Sequence, residues 1–315
     1  MPHPQRLFAL AFLLAWHTAG ALLVQSSADH DESPLVDTSC ANSVSFLFLA
    51  RDGLPLQQVW RKFLDGCEPG GFTVHIHSQQ GNSTPAALPE AQLVADPVEG
   101  ELRRNYTMQL AMHRLYRDAS RTVAPNGCRP RWAQMLSDSC APLRSCADLQ
   151  AILSSNSGSS LIESWLCTVG AKADACYSRK PGYWRRPWYK AHQWNTLWMD
   201  HARMLLAREE ENFKNWHGHQ VPDEHYAINI LDSLGANHTA FGLTHVYPFL
   251  TGRKAHPEDI DCPKDPAQNP PGRGHVAFSS SVQDVVTAGR VFARKFGAEC
   301  VDSLLANLPD ATKPR

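Results

Sequence analysis

Apolar positions first gather between Leu7 and Val24, an eighteen-residue run broken by His17 and Thr18, preceded by His3 and Arg6 and followed by Gln25-Ser26-Ser27. A run of that length is at the lower edge of what crosses a bilayer as a helix. Residues 1–25 therefore read as a targeting segment, either a cleaved signal peptide or an uncleaved type II signal anchor, the anchor being preferred. Ala28 to Asn42 is acidic and polar, so 26–43 reads as a stem and 44–308 as the folded part.

Ser43 to Ala50 is an unbroken apolar run, the pattern of a strand buried on both faces. Arg51-Asp52-Gly53-Leu54-Pro55 ends it, Gln57 to Leu64 predicts a helix, and Phe72-Thr73-Val74-His75-Ile76-His77 alternates like a half-buried strand. Together they form a βαβ unit. The alternation continues through a helix over Glu101 to Ala119, a strand over Trp132 to Leu136 and a helix near Ala147 to Leu153. Further helices are predicted at Trp198 to Arg208, Asp223 to Leu234 and Val282 to Phe296, the last amphipathic. Cys167 to Pro187 reads as a long surface excursion, and Pro257 to Gly274 as a Pro-rich loop. The expected architecture is α/β, a mainly parallel central sheet with helices on both faces.

Charge and cysteine content narrow the function classes. Thirty Lys and Arg against 31 Asp and Glu leave a net charge of −1, so no overall field draws the chain to nucleic acid. Nine cysteines without a CxxC pair, and glycosylation sequons at Asn82, Asn105 and Asn237, fit an oxidising secretory lumen. The pairing of the cysteines stays open.

Several catalytic motifs are missing from the sequence: GxxxxGK[ST], GxGxxG after the first strand, GxSxG and HExxH. His75 with His77, and His217 with His219, have the spacing of two imidazole ligands but no Cys or carboxylate partner at a diagnostic distance, so each pair reads as a partly exposed polar face. Asp259-Ile260-Asp261 matches the DxD that carries Mn²⁺ in many sugar-nucleotide enzymes, yet it sits in a Pro-rich loop rather than after a buried strand, and reads as surface charge. Val221-Pro222-Asp223-Glu224 is a helix start, with Ala227, Ile230, Leu231 and Leu234 as the buried stripe. Glu224 lies three and seven residues before members of that stripe, so its carboxylate either projects inward as a general base or is a simple acid of the capping turn.

Six blocks occur in order: Phe46 to Leu56, Leu136 to Leu143, Trp188-Tyr189-Lys190-Ala191-His192-Gln193-Trp194, Pro222-Asp223-Glu224-His225-Tyr226, Ala255-His256-Pro257 and Phe292-Ala293-Arg294-Lys295-Phe296. Their order and spacing resemble the core-2/I-branching β-1,6-N-acetylglucosaminyltransferase family (glycosyltransferase family 14), most closely its plant-type branch, over about residues 44 to 305. The resemblance implies a GT-A-like fold and an inverting, metal-independent transfer of a sugar, N-acetylglucosamine in the named family, from a UDP-sugar to a glycan or glycoprotein hydroxyl. It places the catalytic base on Glu224 and the UDP diphosphate on Lys295 with Arg294 and Arg273, Arg253 being the fallback for Arg273. Positive charge on the departing diphosphate does what Mn²⁺ does elsewhere, so no cofactor is implied. Acceptor contacts fall on Glu163, Arg179 and Tyr183, with Trp184, Trp188 and Trp194 either stacking on sugar or packing as core and rim. The chain departs from the plant-type pattern at Ala191-His192, where that pattern has Gly-Ser, and at Arg103-Arg104. The implied setting is a Golgi membrane with the catalytic part in the lumen, or secretion if the N-terminal segment is cleaved. The competing reading is a lumenal carbohydrate-binding relative without turnover.

Overall fold

A computed structural model describes residues 40, 42–80, 84–94, 98, 106–167, 176, 180, 182–216, 219, 221–246 and 282–309. The elements in chain order are β1 (Val44–Ala50), α1 (Gln57–Leu64), β2 (Phe72–Ser78), β3 (Gln92–Leu93), α2 (Thr107–Arg121), β4 (Trp132–Ser137), β5 (Ala141–Pro142), α3 (Cys146–Ser155), β6 (Ser160–Leu161), β7 (Ser164–Leu166), β8 (Tyr189–Ala191), β9 (Thr196–Trp198), α4 (Met199–Ala207), α5 (Glu209–Trp216), α6 (Tyr226–Ser233), β10 (His238–Thr239), β11 (Thr244–Val246), α7 (Val282–Thr287), β12 (Phe292–Arg294) and α8 (Val301–Asn307). Seven strands form the main sheet in the order β10-β6-β9-β4-β1-β2-β3. β1 pairs parallel with both β2 and β4, β3 continues that direction beside β2, and β9 runs antiparallel between β4 and β6. A three-stranded sheet, β11-β12-β5, and the antiparallel ribbon β7-β8 complete the topology. The mixed α/β architecture with its mainly parallel central sheet is GT-A-like.

The unbroken apolar run of β1 is explained by its place at the middle of the sheet with a core on each face. Phe46 and Phe48 face one layer, where Trp60 and Phe63 of α1 meet Phe292 of β12, and Trp60 donates through Nε1 to the Cys140 carbonyl at 3.0 Å. Leu47 and Leu49 face the other, against Ala111, Met112, Leu115 and Tyr116 of α2. Disulfides Cys40–Cys128, Cys67–Cys146 and Cys167–Cys176 are formed, and Cys300 is bonded as well. Cys140 is the free, buried cysteine among the described residues.

Three sequence expectations are corrected. The helix expected over Val282 to Phe296 ends at Thr287, and the chain returns as strand β12. Gly289, at φ +77°, allows the closure in which Arg290 N–H reaches the Val285 carbonyl at 3.1 Å, after which Val291, Phe292 and Ala293 are all buried. The helix expected from Asp223 begins at Tyr226, because Pro222-Asp223-Glu224 form a separate 3₁₀ turn. His75 and His77 are fully buried rather than partly exposed, since β2 lies inside the sheet and under α2. His75 bonds Asp118 at 2.7 Å and Thr73 at 2.9 Å, and His77 Nε2 accepts from Val98 N–H at 2.7 Å. Among the described residues no helix is long and apolar enough to cross a membrane, and residues 1–25 lie outside them.

Candidate active site

The Pro222-Asp223-Glu224 turn is fixed from two sides. Val221 has φ 44° and ψ 55°, a left-handed conformation that a β-branched residue adopts only when its surroundings impose it. From the other side, β8 grips the residues that follow. Asn229 Oδ1 accepts from Tyr189 N–H at 2.9 Å, Asn229 Nδ2 donates to the Tyr189 carbonyl at 2.7 Å, and His225 Nδ1 donates to the same carbonyl at 2.7 Å. The other edge of β8 is paired with β7, so its main chain is engaged on both sides. The His225 ring stacks on Trp188 with centroids 4.9 Å apart and planes 11° apart, and Trp188 stacks in turn on Trp216 at 5.3 Å. Behind the turn, Tyr226 accepts from Asn212 of α5 at 2.8 Å and meets His113 of α2 edge-on.

This clamp sets Lys190 Nζ 2.9 Å from Glu224 Oε2. The Lys190 side chain is 8% exposed and that of Glu224 25% exposed. Oε2 is buried and makes no hydrogen bond among the described residues, which leaves Oε1 as the oxygen on the solvent side. Asp223 is buried beside it, and burial followed by the charge of Glu224 pushes its carboxyl up to about 7. Near pH 7 the Asp223 carboxyl is therefore only partly ionised. Burial pushes the His225 imidazole down to about 4, Lys190 and His219 adding to it against the hydrogen bond to Tyr189.

A second group of cations stands next to this pair. Phe296 N–H donates to the Ser139 carbonyl at 2.9 Å, which sets the Arg294-Lys295-Phe296 segment against the turn that follows central strand β4. Arg294 lies over the Trp194 ring at 4.0 Å, and Lys295 follows it, half-buried. Arg290 binds Glu163 through both guanidinium nitrogens, at 3.0 and 2.9 Å, bonds the Gly242 carbonyl and covers the Phe241 ring. His192 sits among them: burial, and then the charges of Lys190, Arg294, Arg290 and His245, push its imidazole down to about 4. The arrangement offers one carboxylate for proton transfer and several cations for an anionic leaving group.

Of the residues singled out from sequence, Glu224, Arg294, Glu163 and Trp194 gather here, joined by Lys295 through the chain. Trp188 is packed inside, its faces taken by His225 and Trp216. Trp184 meets both Trp188 and Trp216 edge-on. Tyr183 is exposed and donates to the Asn215 carbonyl at 3.1 Å, on the α5 side. Asn237 is exposed just before β10. Arg273, Arg253, Arg179, Arg103, Arg104, Asp259, Asp261, His217, Asn82 and Asn105 lie outside the described residues. Among the described residues no three His, Cys, Asp or Glu side chains come together as metal ligands. Sequence reasoning missed Lys190, Arg290 and Trp165. Lys190 stands inside a quoted block, and the alternation that puts it on one side of β8 with His192 was the available signal.

The model of the Core-2/I-Branching enzyme family matches residues 44–247, and the chain belongs to that family. A rice protein named Glycosyltransferase BC10 (Oryza sativa subsp. japonica) is 24% identical over 234 residues, 66% of this chain, and supports the plant-type branch. The aligned region spans 57% of that relative's length. Among solved structures, 2-C-methyl-D-erythritol 4-phosphate cytidylyltransferase from Thermus thermophilus aligns with 64% of this chain and 93% of its own, at 15% identity and a TM-score of 0.32, too low to inform the assignment.

Proposed function

We propose that the chain transfers a sugar, N-acetylglucosamine being the first to test, from a UDP-sugar to a hydroxyl of a glycan or glycoprotein, with inversion and without a metal. Glu224 takes the proton of the acceptor hydroxyl as that oxygen attacks the anomeric carbon. The bond to UDP breaks on the opposite face, and the electron pair leaves with the diphosphate. Lys295, Arg294 and Arg273 meet the charge that develops there. Glu163 and Trp194 contact the acceptor, with Arg179 and Tyr183 on the preceding excursion. The observation that carries the reading is a partly exposed carboxylate, paired with a buried ammonium, on a turn held by three hydrogen bonds to Tyr189.

The same reading places the protein in the secretory lumen, anchored in the Golgi membrane by residues 1–25 or secreted after cleavage. The disulfides and the exposed sequon at Asn237 support that setting. The test is a panel of UDP-sugars, each titrated against the protein and followed for UDP release, with and without EDTA. Binding and release that survive EDTA are expected. Release that requires Mn²⁺ and fails on changing Asp259 or Asp261 would overturn it.

A further inference from the structure

Lys190 is a cation to which the proposed chemistry gives no task. Among the described residues it pairs directly with the proposed base, at 2.9 Å from Oε2. Its ammonium lies over the ring of Trp165 at 5.6 Å, and Trp165 is its cross-strand partner in the β7-β8 ribbon. That pairing and the grip on the adjacent Tyr189 leave the side chain little freedom, and only 8% of it reaches solvent. Several charged or titratable neighbours among the described residues are engaged elsewhere. Asp223 is buried and pushed towards its neutral form, so it competes weakly for the ammonium. His192 and His225 are held neutral on either side. Arg290 is engaged by Glu163, and Arg294 is stacked on Trp194.

A long, buried ammonium directed at one oxygen of a carboxylate fixes which oxygen turns outward. We propose that Lys190 is a positioning residue for the transfer reaction, holding Glu224 by its inner oxygen so that Oε1 faces the acceptor hydroxyl, and that it is not a ligand of the donor diphosphate. The proposal rests on the reading of Glu224 as base. It differs from a general basic-pocket role in a way that can be measured: a diphosphate ligand contributes to UDP affinity, whereas a residue acting through Glu224 does not.

The test uses the full chain with Lys190→Met, Lys190→Arg, Glu224→Gln and the Lys190→Met/Glu224→Gln pair. UDP affinity is measured by titration, and rate by UDP release from UDP-N-acetylglucosamine. Lys190→Met is expected to lower kcat by about tenfold to a hundredfold while UDP affinity stays within about twofold. Lys190→Arg, which restores the charge, recovers part of the rate, and in the Glu224→Gln background the Met change costs little more. A matching fall in UDP affinity with Lys190→Met makes Lys190 a diphosphate ligand and overturns the inference. So does a full additive loss in the double variant, with Glu224→Gln itself severely slowed; the base reading then stands alone. Near-normal turnover of Glu224→Gln removes the base reading, and this inference with it. UDP binding also reports folding, so a Met variant that fails to fold is recognised, and the Arg variant and double comparison then decide.

Discussion

Asn229 satisfies both main-chain groups of Tyr189, accepting from its N–H at 2.9 Å and donating to its carbonyl at 2.7 Å, as a neighbouring strand would. One side-chain amide therefore closes the free edge of β8 and sets it beside the turn that carries Glu224. Asn229→Leu would leave the partly buried Tyr189 N–H without this partner, while its carbonyl keeps His225. Loss of about 1 to 3 kcal/mol in urea unfolding is expected. Asn229→Asp, which cannot donate to either the Tyr189 or the His225 carbonyl, should fare no better at neutral pH. If both variants unfold at the midpoint of the native chain, the clamp is not what holds the turn.

The Glu163–Arg290 pair explains why residue 242 is a glycine. A Cβ at Gly242 would stand 2.9 Å from the Glu163 Cβ and 3.3 Å from Arg290 Nη1. Gly242→Ala must therefore displace the pair, at a cost of about 1 to 3 kcal/mol in stability. With Glu163 proposed to contact the acceptor and Lys295 the donor, the variant should raise the acceptor KM and leave UDP affinity nearly unchanged. An unchanged acceptor KM would mean that Glu163 does not touch the acceptor.

Stability should peak at about pH 7 or slightly above. His192 and His225 are pushed from 6.5 to about 4 in the folded chain, so below 6.5 the unfolded chain binds more protons and stability is lost as pH falls towards 4. His113 and His201 act in the same sense. Asp223, raised from 3.8 to about 7, acts in the opposite sense: the folded chain binds the extra proton, so its contribution declines as pH rises from about 4 to 7. The imidazoles are still about half protonated in the unfolded chain at pH 6.5, so two or more of them outweigh the one carboxyl up to about pH 7. Asp223→Asn removes the opposing group, so its gain over the native chain should be larger at pH 8 than at pH 5, by on the order of a few kcal/mol. Urea midpoints at pH 5, 6.5 and 8 check this, and a native chain most stable at pH 5 would contradict it.

Local pattern made much of the fold legible and long-range geometry hid the rest. The apolar run of β1 and the bounds of α1 followed from the pattern because both are set by what lies within a few residues. The segment Val282 to Phe296 misled because Val282, Val285, Phe292 and Phe296 keep a helix-compatible spacing, while the decisive residue, Gly289, is a single position whose left-handed backbone ends the helix. His75 and His77 looked like a half-exposed face because nothing local shows that α2 covers β2. The site divides in the same way. Glu224 stood out through the helix-start pattern and the resemblance, but Lys190 acquires meaning only from a partner far along the chain, brought to it by Asn229 and His225. Arg290 was hidden inside the misread helix.

The proposed base and the proposed diphosphate ligand should respond differently to mutation. Glu224→Gln keeps the shape of the side chain and removes the basic lone pair, while the new amide can still meet Lys190 through its carbonyl oxygen. General-base assistance is typically worth about 10²- to 10⁴-fold, so kcat should fall by at least about two orders of magnitude while UDP affinity hardly moves. Lys295→Ala removes a charge that meets the diphosphate in ground and transition states alike, so UDP affinity and rate should fall together. Both variants keep the three hydrogen bonds that fix the turn to Tyr189, and neither residue lies in the hydrophobic core, so their unfolding midpoints should stay near that of the native chain. UDP titration and initial rates on the two proteins separate the roles. A Glu224→Gln protein with near-normal turnover means that the carboxylate serves only as the ion-pair partner of Lys190, and the proton must then leave by another route.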